Sequence, residues 1–223
     1  MSEVESTGKR ERPARRAFTR DQVVDTALAI LDEGGGDALS IRSVAGRLGV
    51  NPNAVYTYVA SRADLEREVA ERVLGQADAS LLAGPTADWR DRIVDFATAL
   101  RLRLLEHPAV ARLLMTAPMN GPAALEVGER LLEALADGGL DPDAAARITY
   151  LVIVHVVGSV ALEVAETDGR PPLAAEADRV AQRRSGFDAV DALRWPRTAA
   201  AAGVMADWIS AEQFEWGLRR LLG

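Results

Sequence analysis

Apolar side chains recur at helical spacing from Val23 to Leu31, with Val23, Val24, Ala27, Leu28 and Leu31 on one face. Thr19 and Asp21 suit the start of this helix, and Gly34-Gly35-Gly36 ends it. Ser40 is a good N-cap for a second, two-turn helix whose stripe is Ile41, Val44, Ala45 and Leu48. Gly49 fits the position after a helix end where positive φ is needed, and Val50 follows it into the core. Asn51 then caps a third helix whose first residue, Pro52, loses no hydrogen bond by lacking an N–H. Val55 and Val59 lie four apart and face inward, which leaves Asn53, Ala54, Thr57 and Tyr58 towards the outside. Ser61-Arg-Ala-Asp64 breaks this short helix and begins a long one, Leu65 to Leu82.

The remaining pattern is helical too. Gly84-Pro85 stops the connecting helix, and Trp89, Ile93, Phe96, Ala97, Leu100 and Leu104 mark the next, which ends at His107-Pro108. A short helix follows over Ala109 to Met115, then a loop, then a helix carrying Leu125, Leu131, Leu132 and Leu135 and closed by Gly138-Gly139. Asp141-Pro142 opens a helix to about Glu166, in which Tyr150 to Leu162 is apolar almost all round and so requires burial on most sides. Those thirteen residues are too few to span a membrane. Residues 167–194 read as a polar connection long enough to be mobile, before an alanine-rich helix after Trp195-Pro196 and a last helix from Ser210. The expected fold class is all-α. A basic arm (1–17) precedes a three-helix domain with a helix-turn-helix (18–64); a connecting helix (64–82) leads to a larger helical domain (83–223).

Composition sharpens this division. The 223 residues carry a formal charge of −7, but residues 1–62 hold nine Lys and Arg against eight Asp and Glu, and 63–223 hold seventeen against twenty-five. Lys9, Arg10, Arg12, Arg15, Arg16 and Arg20 face only Glu11, so the arm is basic. Such an arm is either solvated disorder or a segment that follows a phosphate backbone with salt-dependent affinity. No cysteine is present, which suits a reducing compartment, and no signal-peptide pattern appears, so a cytoplasmic protein without a membrane segment is expected. Neither histidine has a partner at metal-ligand spacing, and no Gly-rich phosphate loop or catalytic motif is found; no enzyme activity, metal or cofactor is expected.

Two short helices joined by a Gly turn have the shape of a major-groove reader. The first would cross the DNA backbone while the small, polar and aromatic outer face of the second enters the groove. The same pattern also fits two ordinary helices of an α-helical domain. The flanking residues add to it: Ala27 and Leu31, the Gly34 to Gly36 turn, Ser40-Ile-Arg-Ser-Val-Ala, Leu48-Gly-Val, and Val55-Tyr56-x-Tyr-Val59 followed by Arg62 and Leu65. From Thr19 to about Leu74 the chain resembles the DNA-binding domain of the TetR family of bacterial transcriptional regulators. The resemblance implies that Arg42 reaches DNA, that Pro52, Asn53, Ala54, Thr57 and Tyr58 face bases or backbone, and that Tyr56 and Arg62 clamp phosphates. Arg62 stands where lysine is more usual; Tyr56 also fits a ring partly in the core.

The later residues Trp89, Leu104-Leu-x-His107, Thr116-Ala-Pro118, Gly139-Leu-Asp-Pro-Asp-Ala-Ala and Leu162-Glu163 resemble the tetracycline-repressor branch of that family. Its magnesium-tetracycline histidines correspond to about Asp78 and Leu114 here, and its drug-gripping asparagine and phenylalanine to Phe96 and Leu100, so a metal-bound tetracycline is not expected. A pocket from Phe96, Leu100, Leu104, Leu114, Met115, Met119, Leu135 and His155 would be largely apolar, although each of these also reads as ordinary core. The resemblance further implies a homodimer packed through helices at about 144–166 and 198–222, a palindromic operator in double-stranded DNA, and repression released by a small-molecule effector that swings the connecting helix. The alternatives are a DNA-binding protein whose 167–194 segment docks a protein partner, and a helical enzyme or structural dimer.

Overall fold

The computed structural model describes residues 18–84, 88–116, 118–167 and 169–223. The basic arm and Pro85 lie outside these residues. Within them the fold is all helical. Helix α1 (Arg20–Gly34) begins in a capping box: the Thr19 hydroxyl accepts from the Gln22 N–H at 3.2 Å, and the Gln22 side chain accepts from the Thr19 N–H at 3.0 Å. Its buried face is the predicted one, with Ile30 added. Helix α2 (Ile41–Leu48) is capped by Ser40 and stopped at Gly49, whose φ of 68° and ψ of 31° are left-handed. An L-residue pays about 1–2 kcal/mol in that conformation, so the turn calls for glycine. Helix α3 is a single turn, Pro52–Val55, held at its start by the Asn51 side chain.

Helix α4 (Arg62–Leu74) starts from the Ser61 cap and packs against α1. It does not continue to Leu82 as the sequence suggested. Gly75 ends it, and the Asp78 carboxylate accepts from the Ser80 N–H at 3.0 Å, starting a separate 3₁₀ turn over Ala79–Leu82. The larger unit comprises α5 (Trp89–Glu106), α6 (Pro108–Leu114), α7 (Pro122–Asp137), α8 (Pro142–Ala165), α9 (Glu176–Asp188), α10 (Pro196–Ala200), α11 (Ala202–Ala206) and α12 (Ala211–Leu222). Five helices, α3, α6, α7, α8 and α10, open on proline, where the missing N–H would have had no intrahelical partner.

Helix α8 is the axis of this unit and packs against α5, α6, α7 and α12. By length and composition it could cross a membrane, because this 24-residue helix holds an 18-residue stretch of high mean hydropathy. Within a single chain its burial is one-sided. Val152, Val156, Val160 and Val164 face the core, whereas Tyr150, Leu151, Val154 and Leu162 are 65%, 44%, 47% and 57% exposed.

The polar connection expected over 167–194 contains a regular helix, α9, clamped by charge. Glu163 on α8 is 1% exposed; its Oε1 accepts from Arg101 Nε on α5 at 2.7 Å and its Oε2 from Arg179 Nη2 on α9 at 3.0 Å. Arg183 donates to the carbonyls of Ala206 at 2.7 Å and Ile209 at 3.0 Å, holding the α11–α12 turn to α9. The alanine-rich stretch is two short helices, broken at Ala201, so the helix expected over 198–222 is regular only within α12.

Candidate functional site

Two features stand out at opposite ends of α4. At its N-terminal end lies the α2–α3 surface. Arg42, Asn53, Tyr56 and Thr57 are exposed together on it, with Tyr56 52% exposed, and Pro52 and Ala54 half-buried beside them. The Thr57 hydroxyl donates to the Ala54 carbonyl at 2.7 Å, which fixes its rotamer and keeps its lone pairs outward. Val55 and Val59, at 0% and 2% exposure, anchor this turn in the core.

Two of the residues assigned to this surface are otherwise engaged. Tyr58 is not simply outward-facing: its ring lies 5.0 Å from Phe18 and its hydroxyl donates to the Phe18 carbonyl at 2.6 Å. The reason is local, since a half-buried phenol needs both an apolar neighbour and an acceptor, and the start of α1 supplies both. Arg62 donates from Nε to Glu66 at 2.7 Å and from Nη2 to the Gly36 carbonyl at 3.0 Å, so it ties the glycine turn to α4. Both partners leave it half exposed at the edge of the surface. Arg47, on the same helix as Arg42, is instead spent on Glu33 of α1, which holds the Glu33 carboxyl below its usual range.

At the other end of α4 a cavity of about 210 Å³ opens between α5, α7 and α8. Phe96, Leu100, Leu104, Leu114 and Met119 line it as expected, and so does Leu74, the last residue of α4. Three residues assigned to the pocket are elsewhere. Met115 is 63% exposed past the end of α6, and Leu135 is fully buried in the core. The His155 ring stacks on Phe214 with centroids 4.9 Å apart, and its Nε2 lies 2.8 Å from the Phe214 carbonyl, so it faces α12. Gly217 makes this possible, because a Cβ there would come within 2.7 Å of the imidazole.

Several contacts join the two ends. His107 Nδ1 lies 2.9 Å from the Asp32 carboxylate, so this histidine ties the turn between α5 and α6 to α1. Burial pushes the Asp32 carboxyl above its usual range, against the lowering influence of His107. The Glu71 carboxylate on α4 accepts from the Ala123 N–H at 2.7 Å. Ala123 lies in the first turn of α7, whose N-cap, Gly121, supplies no side-chain acceptor. Glu71 is thus an N-cap delivered from another helix, a charge-assisted bond at the positive end of the α7 dipole. A Cβ on Gly121 would overlap this carboxylate.

The tetracycline repressor-like C-terminal domain family model matches residues 83–223. The chain belongs to the TetR family. An HTH-type transcriptional regulator of Saccharopolyspora erythraea is 34% identical over 146 residues, 66% of this chain and 61% of that protein, so the match spans less than two thirds of the relative. A possible TetR-family transcriptional regulator of Streptomyces coelicolor A3(2) is 32% identical with a TM-score of 0.76, over 92% of this chain and 97% of that one. ActR of Streptomyces coelicolor, solved in complex with actinorhodin, is 26% identical with a TM-score of 0.79, over 92% of this chain and 95% of that one.

In this TetR-family chain the cavity residues that sequence reasoning missed come mainly from α7 and α8: Leu131 and Leu132, Val152 and Val156, with Gly128 and Glu129 towards the outside. The i, i+4 pair Val152 and Val156 was hidden because its helix is apolar on every side, so periodicity could not say which face meets the cavity. Leu74 was hidden by the misplaced end of the connecting helix.

Proposed function

We propose that the protein is a DNA-binding transcriptional repressor that acts as a homodimer in the cytoplasm and leaves its operator when a small, largely apolar molecule enters the cavity. The observation that carries this reading is that one helix ends in both places. Arg62 at the start of α4 lies at the edge of the exposed α2–α3 surface, and Leu74 at its end lines the cavity. Twelve residue steps separate them, about 18 Å at helical rise. A ligand that displaces Leu74 or α7 therefore acts on a rigid rod whose far end carries the DNA-facing turn. Glu71 adds a second point of attachment, because any shift of the α7 N-terminus must either carry α4 with it or break the capping bond. By linkage, the factor by which ligand weakens DNA binding is the factor by which DNA weakens ligand binding.

The stripe Leu151, Val154 and Leu162 on α8, with Gly158 between them, supports dimerisation. These residues share one helical face, are solvent-exposed in a single chain, and have room at Gly158 for a close approach. A two-fold pair would place two α3 turns on successive half-sites, about 34–36 Å or a multiple apart. ActR, with its bound actinorhodin, supports a cavity ligand in this branch of the fold. Selection of bound sequences from random duplex DNA tests the reading. An imperfect palindrome is expected, retained by the wild type and lost on Arg42→Ala combined with Tyr56→Ala; recovery of no common sequence would overturn it.

A further inference from the structure

Among the described residues that line the cavity, Glu129 is the sole charged side chain, and no hydroxyl, amide or imidazole group joins it. The interior therefore offers nothing to a polar group, and burying one there without a partner carries a penalty of several kcal/mol. Any polar end of a ligand has to stay at the rim, where Glu129 is. This residue is exposed on α7 between two cavity-lining leucines, Leu125 four residues before it and Leu132 three residues after it. The other charges of that helix are committed. Arg130 is held by Glu126 at 2.9 Å and Glu133 at 3.0 Å, and Asp137 pairs with Arg92 at 2.8 Å. Glu129 makes no ion pair with a described residue. It also belongs to an acidic region: residues 63–223 carry seventeen Lys and Arg against twenty-five Asp and Glu, so the field around this part of the molecule favours cations.

We infer that the cavity takes an amphipathic monocation, its apolar body among Leu100, Leu104, Leu131 and Val156 and its ammonium group at the rim against Glu129. This inference rests on the reading of the cavity as a ligand site and adds the charge of the ligand. A neutral molecule of the same shape gains only the apolar burial. An anion meets an unneutralised carboxylate.

Three eight-carbon probes that differ in charge test both layers: octylammonium, octanol and octanoate, each titrated below its micellar concentration and followed by calorimetry and tryptophan fluorescence. The expected order of affinity is octylammonium, octanol, octanoate, with the first step roughly fivefold, the scale of one exposed ion pair. Glu129→Gln should bring octylammonium to the affinity of octanol, and Glu133→Gln should leave the order unchanged. Three probes that bind equally to the wild type, or a cation preference that survives Glu129→Gln, would overturn the charge assignment while leaving the cavity reading in place. Binding of none of the three, or binding unaffected by Leu100→Trp, which fills the cavity, would overturn the cavity reading itself.

Discussion

Replacing Glu163 by alanine strands two cations. Arg101 and Arg179 have side chains 3% and 7% exposed, and both bond to the Glu163 carboxylate. The nearest other acids are Glu176, 3.4 Å from Arg101, and Glu166, 3.6 Å from Arg179; these are longer contacts from partly exposed groups and replace only part of the lost interaction. Breaking a buried pair by removing one partner costs about 3–5 kcal/mol, a large share of the roughly 5–15 kcal/mol that holds a domain folded. Glu163→Gln keeps one acceptor oxygen but sets an NH2 donor against the other arginine and leaves both cations without a counter-charge, so its cost should fall only a little below that of alanine. Urea unfolding followed by circular dichroism measures both. Trypsin digestion reads where the loss falls, because α9 carries Arg183 and Arg184 and is attached to α8 through this carboxylate. Early cleavage in α9 of Glu163→Ala is expected. A loss below 1 kcal/mol with α9 still protected would refute the account of what holds that helix.

Three further outcomes are expected. Glu71→Ala should lower stability by about 1 kcal/mol, the worth of a helix cap, and should reduce the effect of octylammonium on DNA affinity; an unchanged ligand effect would remove the α4–α7 bond from the coupling route. Gly128→Ala should raise stability by up to about 1 kcal/mol through helix propensity, since a Cβ there meets nothing within 4 Å, yet weaken octylammonium binding because the methyl takes cavity space; stronger or unchanged binding would place the ligand elsewhere. The raised Asp32 pKa means that the native state holds this proton more tightly than the unfolded chain. Its stabilising increment is therefore complete below the usual carboxylate pKa of about 3.9 and is lost as pH rises through the raised value. Asp32→Asn should flatten that part of a pH–stability curve measured by urea midpoints, and an unaltered slope would assign it to other carboxylates.

The N-terminal helices were legible because local rules and tertiary packing agree there. Thr19, Ser40, Gly49, Asn51 and Pro52 each take the cap or turn position their chemistry favours. The sequence was least informative where a distant partner decides. Residues 167–194 looked like a loop because α9 has few apolar side chains; its anchor is Arg179 on Glu163, a pairing between residues sixteen apart that no periodicity reveals. Tyr58, in the turn after α3, and His155, on the uniformly apolar α8, could each face either way by pattern alone, and the carbonyls of Phe18 and Phe214 select between them. Five of the eight positions expected at a pocket line the cavity: Phe96, Leu100 and Leu104 follow the apolar stripe of α5, while Leu114 ends α6 and Met119 lies in the loop after it. The errors fell at a helix end, Met115, at a fully buried position, Leu135, and on the uniformly apolar α8.

The central claim is that two α2–α3 surfaces read one duplex. Fluorescence anisotropy of the selected operator, titrated with protein at several salt concentrations, measures this most directly. The account predicts two chains bound per duplex and a linear fall of log K with log salt. Arg42→Ala should reduce the magnitude of that slope by about two, one phosphate contact from each chain at roughly 0.9 apiece. One chain per duplex, or a slope that ignores Arg42, would contradict it.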